Sequence, residues 1–364
     1  MRRWKHVLQD WEEGHEGIIA TLIQTQGSTY QKTGTQMLIS GSGESQGQLS
    51  GGCLEQDIVR RGLSLLESGQ SYGLASYPAE QMDDPIFGFQ TGCKGDYLIL
   101  LEPTSGYRPY QQQLAKAIAF NQRVEIVTIL DYRPNPVLTG NRLLAIDGQL
   151  VKPASEILQA ARELWEWAQH RQDRCSLLEK PEAGIRIYVH QIEPIRRLLL
   201  VGGGNDAMPV AEFARRIGYE IHLLDYREAF LSPHRFPNGV TFHCVGKLLE
   251  EMERVISGFP SDTQVVLMSH SFEYDRIALR AAMQSGFGYI GVLGPSERMN
   301  SLLSGFEIKN KEMIYNPVGL EIGAKTPEEI ALSIVSQLVA VTRKAGSIQK
   351  KVGEEKWKTS GNAS

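Results

Sequence analysis

The sequence predicts an α/β protein with two parts: a C-terminal Rossmann-like, doubly wound parallel sheet and, before it, an N-terminal α+β domain. The strongest observation is a strand–turn–helix–strand pattern. An apolar run at residues 198–201 stops at Gly202-Gly203-Gly204, a helical pattern follows over residues 209–217, and a second apolar run at 220–224 ends on Asp225. Gly202, Gly204 and Ala207 fit G-x-G-x-x-G/A, and the acid lies roughly 20 residues on, as a dinucleotide-binding unit requires. A second observation is that apolar strand patterns and helical patterns keep alternating after Asp225, as in a parallel sheet covered on both faces. The third is the different rhythm of the N-terminal half, where strands follow one another across short Gly- and Asn-containing turns.

Each glycine of the turn has a physical task. Gly202 permits the tight turn, and Gly204 lets backbone amides approach a phosphate with no Cβ in the way. Ala207 lets the helix lie close to its strand, and the helix N-terminus supplies unpaired N–H groups and a partial positive charge. Gly203 and Asn205 complete the turn, and Asp225 is placed to accept a ribose diol. Arg227 keeps a 2′-phosphate, and so NADP as well as NAD, open. The same glycines also serve plain helix–strand packing, so whether the turn holds a nucleotide stays open at this point.

The bulk numbers narrow the class. A chain of 364 residues suits two domains, each with its own core. Hydrophobic content of 41% and charged content of 22% are those of a globular protein, and a net charge of −4 argues against nucleic acid or an anionic membrane as the main partner. The N-terminal residues 1–13 read as an amphipathic helix without the apolar core of a signal peptide. No apolar run reaches the roughly 20 residues of a membrane span. Cys53, Cys93, Cys175 and Cys244 are scattered with no C-x-x-C pair, so neither a disulfide framework nor a zinc site is indicated. These features predict a cytoplasmic protein with reduced thiols.

Along the N-terminal half, residues 17–23 and 35–39 read as strands and residues 41–47 as a hairpin-like loop. Ser50-Gly51-Gly52-Cys53-Leu54-Glu55 then runs into a helix ending near Gly69. Cys53 follows a Gly-Gly turn at a helix start, where helix N-termini in general favour thiolates and glycines leave a sulfur accessible; a small cysteine packing a tight turn is the equal alternative. A strand at 72–77 precedes a polar loop. Thr91-Gly92-Cys93-Lys94-Gly95 leads into a strand at 97–102, with Lys94 either a turn lysine or an anion contact. A helix from 109 to 121, a strand at 124–130 and a hairpin about Asp147-Gly148 follow. Residues 154–170 read as an amphipathic helix with Leu158, Ala161, Leu164, Trp165 and Ala168 on one face. Strands at 176–178 and 184–190 lead to Glu193-Pro194, so the predicted domains are 1–195 and 196–343. There is no clear internal repeat.

In the C-terminal half, residues 264–268 and 287–292 read as strands, residues 276–283 as a helix, and Thr326 as the cap of a helix running to about 343. Residues 344–364 are polar, which predicts a disordered tail. Gly202–Asn205, Asp225, His270 and Gly294 all fall at C-terminal strand ends, where doubly wound sheets bind ligands. His270 reads as an acid/base or phosphate contact or as a structural histidine, and Arg298 as an anion contact or a surface residue.

Several blocks together resemble the xanthine dehydrogenase accessory factors of the XdhC/CoxI family. They are Gly47-Gln-Leu-Ser-Gly-Gly-Cys53-Leu-Glu55, Thr91-Gly-Cys93-Lys-Gly95, Leu200-Val-Gly-Gly-Gly204, Asp225-Tyr-Arg227, Tyr289-Ile-Gly-Val-Leu-Gly294, and Pro317-Val-Gly-Leu-Glu-Ile-Gly323 with Thr326-Pro-Glu-Glu-Ile-Ala331. The resemblance implies a chaperone without turnover that binds molybdenum cofactor (molybdopterin), favours its sulfurated form and inserts it into an apo-molybdenum hydroxylase of the xanthine dehydrogenase type. It implies a cofactor sulfurase as a further partner and a homodimer as the assembly. Cys53 matches the family cysteine that contacts the cofactor, with Gly51, Gly52, Glu55 and Cys93 around it. Gly202, Gly203, Gly204, Asn205, Asp225, Arg227, His270, Gly294 and Arg298 form the second candidate set, its glycine cradle suiting the phosphate end of the pterin. Two departures stand out: Pro295-Ser296-Glu297 lacks a basic residue common in relatives, and Asn205-Asp206 stands where many have His. The alternative reading is an NAD(P)-dependent oxidoreductase, or a binder of another nucleotide, with His270 as acid/base.

Overall fold

The computed structural model describes all residues except 1–3, 5–6, 11–12, 80–94, 152–157, 171–172, 247, 306–310 and 344–364. Cys93, Lys94 and the predicted tail lie outside the described residues. The chain divides into two compact units, Met1–Pro194 and Ile195–Ser364.

The first unit is built from two five-stranded antiparallel sheets of the same connectivity. In one, β1 (Gly17–Gly27), β2 (Gln36–Ser40), β3 (Ser45–Gln46), helix α1 (Glu55–Ser68), β4 (Gly73–Tyr77) and β5 (Gly95–Pro103) give the order β3-β2-β1-β5-β4. After helix α2 (Gln111–Ala119) the pattern recurs. Strands β6 (Val124–Tyr132), β7 (Arg142–Ile146) and β8 (Gln149–Leu150), helix α3 (Leu158–Ala168), β9 (Cys175–Lys180) and β10 (Ile185–Ile192) give β8-β7-β6-β10-β9. The absence of a repeat expected from sequence is therefore corrected: the unit is a duplicated β-β-β-α-β-β motif. Even the register repeats, Thr21 standing opposite Gln36 and Thr128 opposite Arg142. What the two copies must share is a period-two apolar pattern, and many sequences supply one, so the duplication leaves little trace.

Alternation assigns the faces. Ile18, Ala20, Leu22, Met37 and Ile39 pack with Ile58 and Leu65 of α1. In the second copy Val127, Ile129, Leu143 and Ala145 pack with Ala161, Leu164, Trp165 and Ala168 of α3, the stripe predicted for that helix. The opposite faces share clusters, Ile23 and Leu100 with Leu130 and Tyr188, and Ile19 with Ile126 and Leu144. The layers are thus helix, sheet, sheet, helix. Between the sheets the buried Arg142 guanidinium meets Glu102 at 3.1 Å, and Thr128 Oγ1 donates to the same carboxylate at 2.8 Å. Because Gly27 pairs with Gly95 and Tyr77 with Tyr97, connections 28–35 and 78–94 leave the same end of the first sheet. The counterpart of 78–94 in the second copy is the short connection 181–184.

The second unit is a six-stranded, all-parallel sheet in the order β13-β12-β11-β14-β15-β16, with β11 (Arg197–Val201), β12 (Glu220–Asp225), β13 (Val240–Cys244), β14 (Gln264–Leu267), β15 (Tyr289–Val292) and β16 (Ile314–Tyr315). Helices α4 (Ala207–Arg216) and α8 (Pro327–Thr342) cover one face, through Val210, Ala211 and Ala214 and through Ala331, Ile334 and Leu338. Helices α5 (Leu249–Ser257), α6 (Phe272–Gln284) and α7 (Ser296–Leu303) cover the other. Strand β13 and helix α5 carry no clear signal in the sequence. Strand β13 is an edge strand with no fully buried residue, so its alternation is weak. Helix α6 starts earlier than its apolar pattern suggests, because Ser271 caps it by accepting the Tyr274 N–H. Thr326 forms a full capping box with Glu329 at the start of α8, as predicted. The strand order reverses between β11 and β14, the topological switch point of this sheet.

Candidate functional site

In the first unit the connection from β3 to α1 carries the Gly-Gly-Cys sequence. Gly51 and Gly52 take φ values of 85° and 113°, a left-handed stretch that favours glycine, and both are exposed. Cys53 is half-buried and its Sγ donates to the Ser50 carbonyl at 3.2 Å. Tyr30, from the β1–β2 connection, is 60% exposed, and its ring carbons lie from 3.5 Å of where a Gly51 Cβ would be. An open, glycine-jointed turn with an aromatic ring against Gly51 thus leads into a half-buried thiol that packs against the edge of the sheet's core.

Glu55 holds this turn in place. Its Oε1 accepts the N–H groups of Leu49 at 2.9 Å and Ser50 at 2.8 Å, and its Oε2 accepts the Ser50 hydroxyl at 2.6 Å. Ser50 Oγ in turn accepts the Leu54 N–H at 2.9 Å. Burial works against the charge, but these hydrogen bonds outweigh it and keep the Glu55 carboxyl below its ordinary range. The carboxylate predicted to touch a cofactor is occupied by the loop and acts through Cys53's surroundings. One turn on, Asp57 is gripped by Arg61, Arg60 and Tyr77. Burial opposes its ionisation, yet these hydrogen bonds bring it down to about 2.

In the second unit the glycine turn sits at the switch point, as predicted, but its surroundings differ from those of an open nucleotide cradle. A Cβ on Gly202, whose φ is 110°, would fall 2.4 Å from Ser269 Cα. One on Gly203 would fall 3.0 Å from the Phe230 carbonyl, and one on Gly204 2.6 Å from Asp206 Oδ1. Packing against the Ser269 backbone therefore requires glycine at 202, Gly203 lies tightly under the Phe230 carbonyl, and the Asp206 side chain fills the space beside Gly204. Asp225 is fully buried; its Oδ2 accepts the Gly203 N–H at 2.7 Å and the Arg227 Nη2 at 2.8 Å, and its Oδ1 accepts the Arg227 N–H and Nε at 2.9 and 3.0 Å. Burial would raise its carboxyl, but Arg227 and the Gly203 amide hold it low. The ribose role predicted for Asp225 thus meets a carboxylate whose two oxygens are already engaged. The Arg227 guanidinium lies 3.9 Å from the Phe230 ring centroid, and Arg235 Nη1 and Nη2 donate to the Gly203 carbonyl and to Asn205 Oδ1, both at 2.9 Å.

Across the switch point, His270 Nε2 and Asp206 Oδ2 are 2.6 Å apart, and the His270 side chain is 65% exposed. His270 takes a φ of 59°, which a residue without glycine's freedom holds only at a cost. Arg298, predicted as an anion contact or a surface residue, donates to the buried Asp275 at 2.7 Å. Asp275 also accepts the Ser269 hydroxyl at 2.5 Å, so this arginine ties α7 to α6 and the end of β14. Gly294, at a φ of 114°, has its carbonyl held by Asn316 Nδ2 at 2.8 Å. The structure brings the second candidate set together at the strand ends of this unit, while Gly51, Gly52, Cys53 and Glu55 belong to the first unit. Sequence reasoning missed Ser50, Tyr30 and the Asp206–His270 contact. The acid at position 206 was visible as a departure, but its partner sits 64 positions away. Among the described residues, no group of three or more His, Cys, Asp or Glu is placed to hold a metal, and no helix is long and apolar enough to cross a membrane.

Fold and site together describe a two-unit α/β protein: a Rossmann-type unit preceded by a duplicated sheet unit that carries Cys53 on a glycine turn. The family's profiles match both ends, the XdhC and CoxI family over residues 10–78 and the XdhC Rossmann domain over residues 198–338. The chain belongs to the XdhC/CoxI family. It is 29% identical to a probable xanthine dehydrogenase subunit of Bacillus subtilis, over 93% of this chain and 96% of that one. It is 23% identical to the molybdenum cofactor insertion chaperone PaoD of Escherichia coli, over 90% of this chain and 84% of that one. A crystal structure of a xanthine dehydrogenase from Bacillus halodurans superposes with a TM-score of 0.74 at 26% identity, over 95% of this chain and 97% of that chain.

Proposed function

We propose that the protein is an accessory chaperone that binds molybdenum cofactor at Cys53, supports its sulfuration, and passes it to an apo-molybdenum hydroxylase of the xanthine dehydrogenase type. The observation that carries the reading is the Gly51-Gly52-Cys53 turn, exposed at its glycines and braced from behind by Glu55 and Ser50. A cysteine sulfur can serve as a ligand to a metal centre, and two residues without side chains leave room for a bulky ligand beside it. The bound cofactor would bring the metal and its redox chemistry; the chain's own residues bind, orient and release it. The relationship to a molybdenum cofactor insertion chaperone supports this role. A sulfurase and the apo-hydroxylase are the protein partners of the reading, and a homodimer is its assembly. The NAD(P)-dependent oxidoreductase has less support, because Asp225 is sealed by Arg227 and Gly203.

The test is pterin content after co-expression with active cofactor synthesis. Oxidation of the denatured protein converts bound molybdopterin into a fluorescent product that is quantified against protein. Near-stoichiometric pterin in the wild type, lost in Cys53→Ala, is the expected result. Protein free of pterin that instead binds NAD(H) would overturn the reading.

A further inference from the structure

We propose that the switch-point crevice of the Ile195–Ser364 unit rejects dinucleotide phosphates and takes the uncharged, N–H-bearing edge of a heterocycle, with Asp206 as acceptor and His270 as its positioning residue. In an open dinucleotide site, Gly204 lacks a side chain so that a phosphate can come close, and the acid ending the second strand accepts the ribose diol. Here both places are filled from within. The group lying against Gly204 is the Asp206–His270 pair: a Cβ there would meet Asp206 Oδ1 at 2.6 Å and His270 Cδ2 at 3.8 Å. A carboxylate at the start of α4 satisfies the helix dipole and repels a second anion brought to the same spot. Asp225 is closed by Arg227, which in turn lies against Phe230, and Arg235 ties the turn to Asn205.

What stays open is complementary to donors. Asp206 Oδ2 is fixed by His270 at 2.6 Å, and Oδ1 has no hydrogen-bond donor among the described residues. His270 turns 65% of its side chain to solvent and Asp206 19% of its own, so the acceptor is reached from the side of the imidazole. A carboxylate held from one side matches two adjacent N–H donors, which is the edge of a 2-amino-4-oxopyrimidine ring. Pterins and guanine both carry that edge. On the cofactor reading above, on which this choice of ligand rests, the pterin is the source.

The probe is free 6-hydroxymethylpterin, which has no phosphate, titrated by fluorescence into the full chain, with guanosine, NADH and ADP-ribose in parallel. We expect the pterin to bind the wild type, Asp206→Asn to weaken it at least about tenfold, and His270→Asn, a residue that tolerates left-handed backbone, to weaken it less. NADH and ADP-ribose should not bind the wild type, and with Asp225 still closed by Arg227 they should not bind Asp206→Asn either. Thermal melting confirms that each variant is folded. The proposal falls if Asp206→Asn binds pterin like the wild type, if the wild type binds no pterin, or if NADH binds it more tightly than pterin does. Guanosine binding with the same Asp206 dependence upholds the edge and its acceptor, and the tighter of the two compounds names its source. A wild type that co-purifies with pterin dependent on Cys53, yet shows no Asp206 dependence in titration, keeps the cofactor reading and sinks this one. Pterin-free protein with an Asp206-dependent titration does the reverse.

Discussion

Replacing Glu55 with alanine tests whether the thiol-bearing turn is held from behind. The substitution removes the acceptor of two backbone N–H groups, Leu49 and Ser50, and of the Ser50 hydroxyl. Leu49 is 0% and Ser50 2% exposed, so water reaches neither amide without the turn opening. Leaving a buried donor unsatisfied costs about 1–3 kcal/mol, and with partial relaxation the three donors together amount to about 2–4 kcal/mol. That corresponds to roughly 30- to 1,000-fold faster amide exchange over residues 48–54, at about 1.4 kcal/mol per decade. Glu55→Gln, which still offers one acceptor oxygen, should lie near the lower end. The assay is hydrogen exchange by mass spectrometry, with the strand Ile185–Ile192 as an internal reference expected to be unchanged. The sign of the acid response follows from the same contacts. A carboxyl held below its ordinary 4.5 in the folded state contributes stability that is complete above that value and is lost as the pH falls through the lowered one. Protection of wild-type residues 48–54, corrected for the slower intrinsic exchange in acid, should therefore fall on acidification toward that of Glu55→Ala. Equal exchange in wild type and Glu55→Ala at neutral pH would refute the brace.

Further outcomes follow from packing. Arg142→Gln alone strands the buried Glu102, whose side chain is 4% exposed, and should cost about 3–5 kcal/mol in urea unfolding of the first unit. The double variant Glu102→Gln/Arg142→Gln should recover a large part of that, since the corresponding position of the first copy already holds Gln36 hydrogen-bonded to Thr21. In the second unit, Gly202→Ala forces a Cβ to 2.4 Å from Ser269 Cα at a φ of 110°, and should destabilise by about 3 kcal/mol or more in thermal melting. Gly69→Ala, at a φ of 66° with nothing within 4 Å of the new Cβ, should cost only about 1 kcal/mol.

The parallel sheet is legible because its central strands are buried on both faces and read as unbroken apolar runs, as at residues 198–201, which stop at Gly202, and 265–268, which stop at Ser269. Strand β13 escaped because an edge strand needs only one partner and leaves Thr241 and Cys244 exposed. The duplicated sheets escaped for another reason: strand pairing across sixty or more residues, such as β1 with β5, is not written in local pattern. At the candidate sites, residue positions were easier to read than residue tasks. Cys53 and the three switch-point glycines fall where their spacing puts them. Glu55, Asp225 and Arg298 were read as facing a ligand, whereas each is turned toward a backbone amide or an opposite charge that only folding supplies. A charged residue near a glycine turn looks the same in sequence whichever way it points.

The repetition within the first unit has a practical consequence. Two halves with one connectivity meet the same folding demands, so each serves as a structural reference for the other. The second half joins its last two strands across 181–184; the first spans 78–94 between the same strands and opens its helix with two left-handed glycines. Gly34, in the β1–β2 connection, lies so close to Cys175 of β9 that a Cβ would come within 2.7 Å of the sulfur, so the plain half is the bed on which the elaborated half rests. The molecule carries its own blank: residues 151–157, which join strand to helix in the second half, hold neither glycine nor cysteine, so grafting that sequence in place of 47–54 would remove the thiol-bearing turn and give the control against which any cargo bound there can be weighed.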